Sequence, residues 1–164
     1  MPDDGQLWRQ WLARHGPALG LFARQWVTTS SDAEDAVQEG FIRFWRARER
    51  TNNDVGYLYA CVRTAAIDLS RTRSRQQEVD ERAKTPDVAR PFAEEQGDLA
   101  HAVESSLSQL PMEQREVVVM KIWGGLTFAQ IGDALKINPN TAASRYRYAL
   151  ERLEVLLCHE VMRD

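Results

Sequence analysis

Apolar residues recur at helical spacing in most segments of this chain, and this periodicity limits its possible folds more than any other feature. The sets that share one helix face are Val37, Phe41 and Phe44 in one segment, and Leu58, Val62, Ala65 and Leu69 in the next. No stretch shows the alternation of apolar and polar residues that is typical of strands. The sequence therefore predicts an all-α protein, with these two sets in its core.

A polar, acidic segment divides the chain. Residues 76–104 carry eight acids against three bases, include Pro86, Pro91 and Gly97, and have few large apolar residues. This composition is typical of a linker that is at least partly disordered. We therefore predict two small helical domains, residues 1–75 and 105–164, joined by a flexible acidic linker at 76–104.

Helix boundaries can be predicted from breaking and capping residues. Gly16 and Pro17 should end or kink the first helix. The stretches 31–34 (SDAE) and 127–130 (TFAQ) both fit capping boxes, and Asn138 followed by Pro139 fits the start of a long final helix.

The last two predicted helices, separated by a short turn, have the layout of a helix-turn-helix. The second of them should bury Ala142, Tyr146, Ala149, Leu150 and Leu153 and expose Asn140, Ala143, Ser144, Arg147 and Tyr148, with Thr141 and Arg145 to one side. Short hydrogen-bonding residues followed by arginines suit base edges and phosphates. A helical hairpin without a ligand is the alternative.

Charge is segregated along the chain, although the net charge is only -3. Residues 43–75 hold eight arginines against three acids, which favours a local phosphate-binding surface. Arginines that only solvate a helix face, or that stabilise a helix C-terminus, remain an alternative. In the preceding helix, Asp35, Gln38 and Glu39 share a face with Ile42, which suits docking to a basic partner helix.

The sequence predicts no enzyme. His15, His101 and His159 lie in separate segments, and there is no nucleophile elbow, Walker loop or HExxH motif. Cys61 and Cys158 match no metal-ligand spacing, so we expect neither a metal nor a cofactor. The acidic start, the two thiols and the absence of a long apolar run predict a cytoplasmic protein without membrane insertion.

The order of motifs closely resembles that of the extracytoplasmic-function (ECF) sigma factors, the small promoter-recognition subunits of bacterial RNA polymerase. Residues 31–45 (SDAEDAVQEGFIRFW) and 57–69 (YLYACVRTAAIDL) resemble helices of sigma region 2. Residues 110–117 (LPMEQREV), 125–132 (GLTFAQIG) and 140–145 (NTAASR) resemble region 4. The resemblance spans nearly the whole chain and implies a region 2-like bundle of three or four helices and a region 4-like helix-turn-helix.

This resemblance implies a role for each region. The region 2 helix would bind the clamp of the largest polymerase subunit, and the following helix would recognise and open the minus-10 element. Region 4 would read the minus-35 element in the major groove and pack on the polymerase flap. The implied polymerase-binding residues are Asp35, Gln38, Glu39 and Ile42, and the implied DNA-binding residues are Arg63, Thr64, Asp68, Arg71, Arg73, Asn140, Thr141, Ala143, Ser144, Arg145 and Arg147.

The chain departs from the family pattern at several of these positions. Thr64 replaces a usual asparagine, Tyr57 a common tryptophan, Ala143 a usual basic residue and Lys136 the usual glycine before the recognition helix. The implied partners are polymerase core enzyme, promoter DNA and, as is common in the family, an anti-sigma factor.

Two other classes of protein remain open. A helix-turn-helix repressor or activator would bind operators as a homodimer without polymerase, and an anti-sigma or adaptor protein would act through protein contacts alone. The repressor would need no acidic face in its first 75 residues and would bind DNA by itself. We expect a sigma factor alone to bind promoter DNA poorly, because its acidic segments repel phosphate until polymerase holds both domains in place.

Overall fold

The computed structural model describes residues 3–49, 55–80 and 98–163, and within these ranges it contains helices and no strand. The helices are α1 (Asp4–Ala23), α2 (Ser30–Ala47), α3 (Val55–Asp80), α4 (Asp98–Ser108), α5 (Met112–Ile122), α6 (Phe128–Leu135) and α7 (Pro139–Arg163). The predicted all-α fold is confirmed. Within the described ranges, none of these helices has the length and apolar character needed to span a membrane.

Helices α1 to α3 pack around the predicted apolar faces. Val37, Phe41 and Phe44 of α2 are buried, as predicted, and α3 buries Leu58, Val62 and Ala65. Leu69 is only half-buried and packs at the edge of this core. Aromatic rings from α1 complete it: the Trp8 and Phe41 ring centroids lie 4.4 Å apart, and those of Trp11 and Phe44 lie 5.2 Å apart.

The structure contradicts two predicted boundaries, a helix break at Gly16 and Pro17 and a cap at Ser31. α1 runs through Pro17 without a break, because Trp11 before the proline and Phe22 after it are held by the same core. α2 begins one residue before the predicted capping serine, Ser31. The Thr29 hydroxyl accepts a hydrogen bond from the Asp32 amide at 3.1 Å, so threonine provides the cap.

Helices α4 to α7 form the second group, and its capping predictions are confirmed. Thr127 and Gln130 exchange the two hydrogen bonds of a capping box, at 3.1 and 2.9 Å. Asn138 accepts from the Asn140 amide at 2.8 Å where α7 begins at Pro139. The α6–turn–α7 unit is therefore a helix-turn-helix.

The predicted buried face of α7 is correct in part. Ala142, Ala149 and Leu153 are buried and Tyr146 is half-buried, but Leu150 is 38% exposed. Leu150 follows the fully buried Ala149 directly, and the 100° turn between neighbouring residues carries its side chain off the buried stripe.

The predicted linker begins and ends in helix. α3 continues to Asp80, beyond the predicted domain end at 75, and α4 begins at Asp98, before the predicted start at 105. Residues 81–97, the middle of the predicted linker, lie outside the described residues.

The two groups of helices pack against each other. Their buried residues form one continuous core, in which α3 packs against α2 and α6, and α1 packs against α5. We call this packing of α1–α3 against α4–α7 the closed arrangement.

Candidate functional site

The predicted polymerase-binding residues lie on one exposed face of α2. Asp35, Gln38 and Glu39 are exposed, and Ile42 is half-buried beside them. Glu39 accepts a hydrogen bond from Arg43 one turn later, at 3.1 Å. We call these four residues, Asp35, Gln38, Glu39 and Ile42, the acidic face. It combines surface charge with an apolar centre, as a protein-binding surface does.

On α3, Thr64, Asp68 and Arg71 are exposed and lie about one turn apart. The Thr64 hydroxyl donates to the Ala60 carbonyl at 3.0 Å, so it is engaged within its own helix. Asp68 lies 3.6 Å from Arg43 of α2. Arg43 therefore bridges the acidic face and the exposed side of α3.

Arg73, also a predicted DNA contact, holds the far part of α3 against the start of α2. Its Nε and Nη2 atoms donate to the two carboxylate oxygens of Asp32 at 3.2 and 3.1 Å. Asp32 is buried, so this paired geometry compensates a charge removed from water. The Arg73 side chain remains half-exposed and also contacts Gln76.

Arg63 lies apart from Thr64, Asp68 and Arg71. Its Nε donates to Oε2 of Glu116 in α5 at 2.8 Å, and its guanidinium lies 5.9 Å from the Trp26 ring centroid. Glu116 is only 3% exposed. Burial raises the pKa of its carboxyl, and the hydrogen bond and charge of Arg63, with the charge of Arg145, oppose that rise.

The predicted DNA-binding residues of α7 lie in its first turns. Asn140, Thr141 and Arg147 are exposed, while Ala143, Ser144 and Arg145 are half-buried. The Arg147 guanidinium lies 5.4 Å from the ring centroid of Tyr148, which is also exposed. The start of α7 therefore presents polar groups and a cation to solvent.

No group of three or more His, Cys, Asp or Glu side chains within the described ranges is arranged to hold a metal ion. Both cysteines are free thiols, Cys61 buried and Cys158 exposed.

Comparison with known proteins identifies both groups of helices. Residues 11–76 match the family model for Sigma-70 region 2, and residues 100–153 match that for Sigma-70, region 4. The RNA polymerase sigma factor CarQ of Myxococcus xanthus is 30% identical over 149 residues, which cover 88% of this chain and 86% of CarQ. The ECF sigma factor SigM of Mycobacterium tuberculosis is 31% identical over 159 residues, covering 94% of this chain and 79% of SigM.

The chain belongs to the ECF sigma factors of RNA polymerase. The resemblance read from the sequence is thus confirmed, and this ECF sigma factor acts in promoter-specific initiation of transcription.

Solved structures agree with this fold. The sigma factor RpoE of Bartonella quintana, solved with the anti-sigma factor NepR, matches with a TM-score of 0.71 and 23% identity, over 91% of this chain and 95% of RpoE. CnrH, solved with the cytosolic domain of CnrY, matches with a TM-score of 0.66 and 25% identity, over 95% of this chain and 90% of CnrH.

The sequence reading missed a second packed face of α3. Gly56, Tyr59 and Arg63 lie on one side of the helix and contact the α5–α6 region. Gly56 lies against Gln130, Tyr59 against Gly124 and Arg63 against Glu116. Their spacing of three and four residues was the available signal. A glycine, a tyrosine and an arginine do not form an apolar stripe, so hydrophobic periodicity does not detect this face.

Proposed function

We propose that the acidic face of α2 binds the clamp of the largest polymerase subunit. The observation that carries this proposal is the exposure of Asp35, Gln38 and Glu39 around a half-buried Ile42. Opposite charges on two helices steer their encounter, and an apolar centre contributes affinity once water is excluded.

The DNA contacts are divided between the two groups of helices. In this proposal, residues 1–75 recognise and open the minus-10 element, with Thr64, Asp68, Arg71 and Arg73 of α3 supplemented by Arg63. Residues 105–164 read the minus-35 element, with the first turns of α7 in the major groove. The predicted linker at 76–104 connects them.

The proposed activity is binding and positioning, without a catalytic site, a cofactor or a metal, and it takes place in the cytoplasm with polymerase. An anti-sigma factor is a further proposed partner, since the similar RpoE and CnrH structures were each solved with a second protein.

Binding to purified bacterial polymerase core tests the acidic face. We expect nanomolar to low micromolar affinity for the wild type and a loss of tenfold or more, about 1.4 kcal/mol, for Asp35→Arg/Glu39→Arg. The matched control is Glu49→Arg/Glu78→Arg. It changes the net charge by the same amount at two exposed acids that do not belong to the acidic face, and it should bind nearly as the wild type does.

An equal loss in both double variants would show that net charge, rather than the acidic face, determines binding. If well-folded wild type does not bind core but binds specific duplex DNA by itself, the repressor class replaces this proposal.

A further inference from the structure

One face of α3 is covered by the second group of helices. A Cβ added at Gly56 would lie 2.9 Å from the Gln130 carbonyl oxygen, so the backbones of α3 and α6 approach closely there. One turn later Tyr59 is fully buried, and a Cβ added at Gly124 would lie 2.7 Å from its hydroxyl oxygen. The last member of this face is Arg63, paired with Glu116.

Glu116 is placed among arginines that the proposed function assigns to DNA. Arg63 of α3 donates to it at 2.8 Å, and Arg145 of α7 is close enough for its charge to favour the ionised carboxylate. Each of these two arginines comes from a different group of helices. A carboxylate and a phosphate accept the same hydrogen bonds from a guanidinium. Arg63 Nε therefore cannot donate to Glu116 and to a DNA phosphate at the same time.

The same interface contains a feature that opposes closure. The Tyr59 hydroxyl is buried and has no hydrogen-bond partner among the described residues. A buried hydroxyl without a partner costs free energy that it would not cost in water. The contact between the two groups thus contains one charge-assisted hydrogen bond, Arg63–Glu116, and one buried hydroxyl, that of Tyr59, which weakens it.

We propose that Glu116 substitutes for a DNA phosphate within the free protein. In the closed arrangement it occupies the Nε of Arg63, and donation from this atom to a phosphate of promoter DNA requires the pair to separate. The proposal rests on the proposed function, in which Arg63 contacts DNA. It gives a residue-level reason for weak DNA binding by the protein alone: the competing anion is part of the chain.

The test compares DNA binding by the free protein and by the holoenzyme. The probe is a fluorescein-labelled single-stranded DNA of random sequence, because a backbone contact does not depend on base sequence. Glu116→Gln should tighten binding by the free full-length chain by about threefold or more, because Arg63 then no longer faces a competing carboxylate. The slope of log affinity against log salt should steepen by about 0.7, the value for one additional phosphate contact.

Two further variants show whether the gain depends on Arg63. The gain should disappear in Arg63→Ala/Glu116→Gln. The matched control is Glu104→Gln, which removes the same charge and a second ion pair between the two groups, Glu104 with Arg24 at 3.3 Å, but leaves Arg63 paired. It should raise DNA affinity less than Glu116→Gln does, because it loosens the closed arrangement but keeps the carboxylate that competes for Arg63. An equal gain in Glu104→Gln, or a gain that survives Arg63→Ala, would overturn the proposal.

Tyr59→Phe gives a test in the opposite direction. It removes the unpaired hydroxyl and keeps the ring, so it should favour the closed arrangement and weaken DNA binding by the free chain about twofold. Tighter binding would contradict the proposal. Circular dichroism verifies that each variant is folded.

The holoenzyme separates failure of this inference from failure of the proposed function. If Arg63→Ala weakens DNA binding by the holoenzyme but Glu116→Gln leaves the free chain unchanged, Arg63 contacts DNA and only the competition is wrong. If Arg63→Ala has no effect in the holoenzyme, the assignment of Arg63 to promoter DNA is itself wrong.

Discussion

At the scale of single residues, Lys136 has a strained backbone conformation in the turn of the helix-turn-helix. It caps α6 with φ 57° and ψ 46°, the left-handed region, and it is the only non-glycine residue with positive φ in the described ranges. A residue with a Cβ in this region costs about 1–2 kcal/mol. Glycine removes that cost, but it makes the unfolded chain more flexible, which offsets part of the gain. We expect Lys136→Gly to raise the free energy of unfolding by about 0.5–1 kcal/mol in chemical denaturation.

Lys136→Ala is the control for this backbone effect, because it shortens the side chain but keeps the Cβ. It should give no comparable gain. Equal stabilisation by alanine and glycine would place the effect in the lysine side chain instead.

Glu116 should make stability depend on pH in a defined direction. Burial raises its pKa above the ordinary 4.5, against the opposing charges of Arg63 on α3 and Arg145 on α7 and with the support of Glu113 on α5. The folded protein therefore binds a proton at a pH where the unfolded chain has released it. Stability from this group increases as pH falls through the raised pKa toward 4.5 and is lost again as pH rises.

Denaturation at a series of pH values tests this sign. The free energy of unfolding of the wild type, minus that of Glu116→Gln, should increase as the pH falls from neutrality toward 4.5. A difference that decreases on acidification would mean that Arg63 lowers the Glu116 pKa more than burial raises it.

At the scale of elements, Gly40 sets the distance between α2 and α3. A Cβ at this position would lie 2.5 Å from the Val62 Cα, a backbone atom that cannot rotate away. Gly40→Ala should therefore lower the free energy of unfolding by about 1–3 kcal/mol, although alanine is the better helix former. In α1, a Cβ at Gly20 would meet nothing within 4 Å, so Gly20→Ala should stabilise the protein. Stabilisation by both substitutions would show that α2 and α3 can separate without cost.

Periodicity predicted the helices and the inward faces of α2 and α3 because those faces are decided by residues a few positions apart. The capping box at Thr127 was predictable from its own four-residue motif, because its two partners lie within one turn. The Arg63–Glu116 and Arg73–Asp32 pairs could not be predicted in this way, since their members are 53 and 41 residues apart. From the sequence alone, all arginines of this helix could be in contact with solvent. In the fold, Arg63 and Arg73 instead form ion pairs with residues of other helices.

At the scale of the whole molecule, the closed arrangement affects the proposed polymerase-binding surface and the proposed DNA-binding surface differently. It leaves the acidic face of α2 exposed and occupies Arg63 with Glu116. A first contact with the polymerase clamp is therefore compatible with the closed form, while donation from Arg63 Nε to a DNA phosphate is not. Polymerase that holds the two groups of helices apart would supply the free energy to separate this pair.

A steric wedge tests this division without changing any charge. Gly56→Ala places a methyl group 2.9 Å from the Gln130 carbonyl oxygen, so α3 and α6 must move apart. Small-angle scattering of the free chain should show a larger radius of gyration than the wild type. If only the separated form binds polymerase through both groups of helices, the variant should bind core more tightly than the wild type does. The gain in affinity should equal the increase in the fraction of separated protein. Gly20→Ala, which meets no neighbouring atom, should change neither quantity. Expansion without tighter core binding would mean that polymerase binds both forms equally, and that closure controls access to DNA alone.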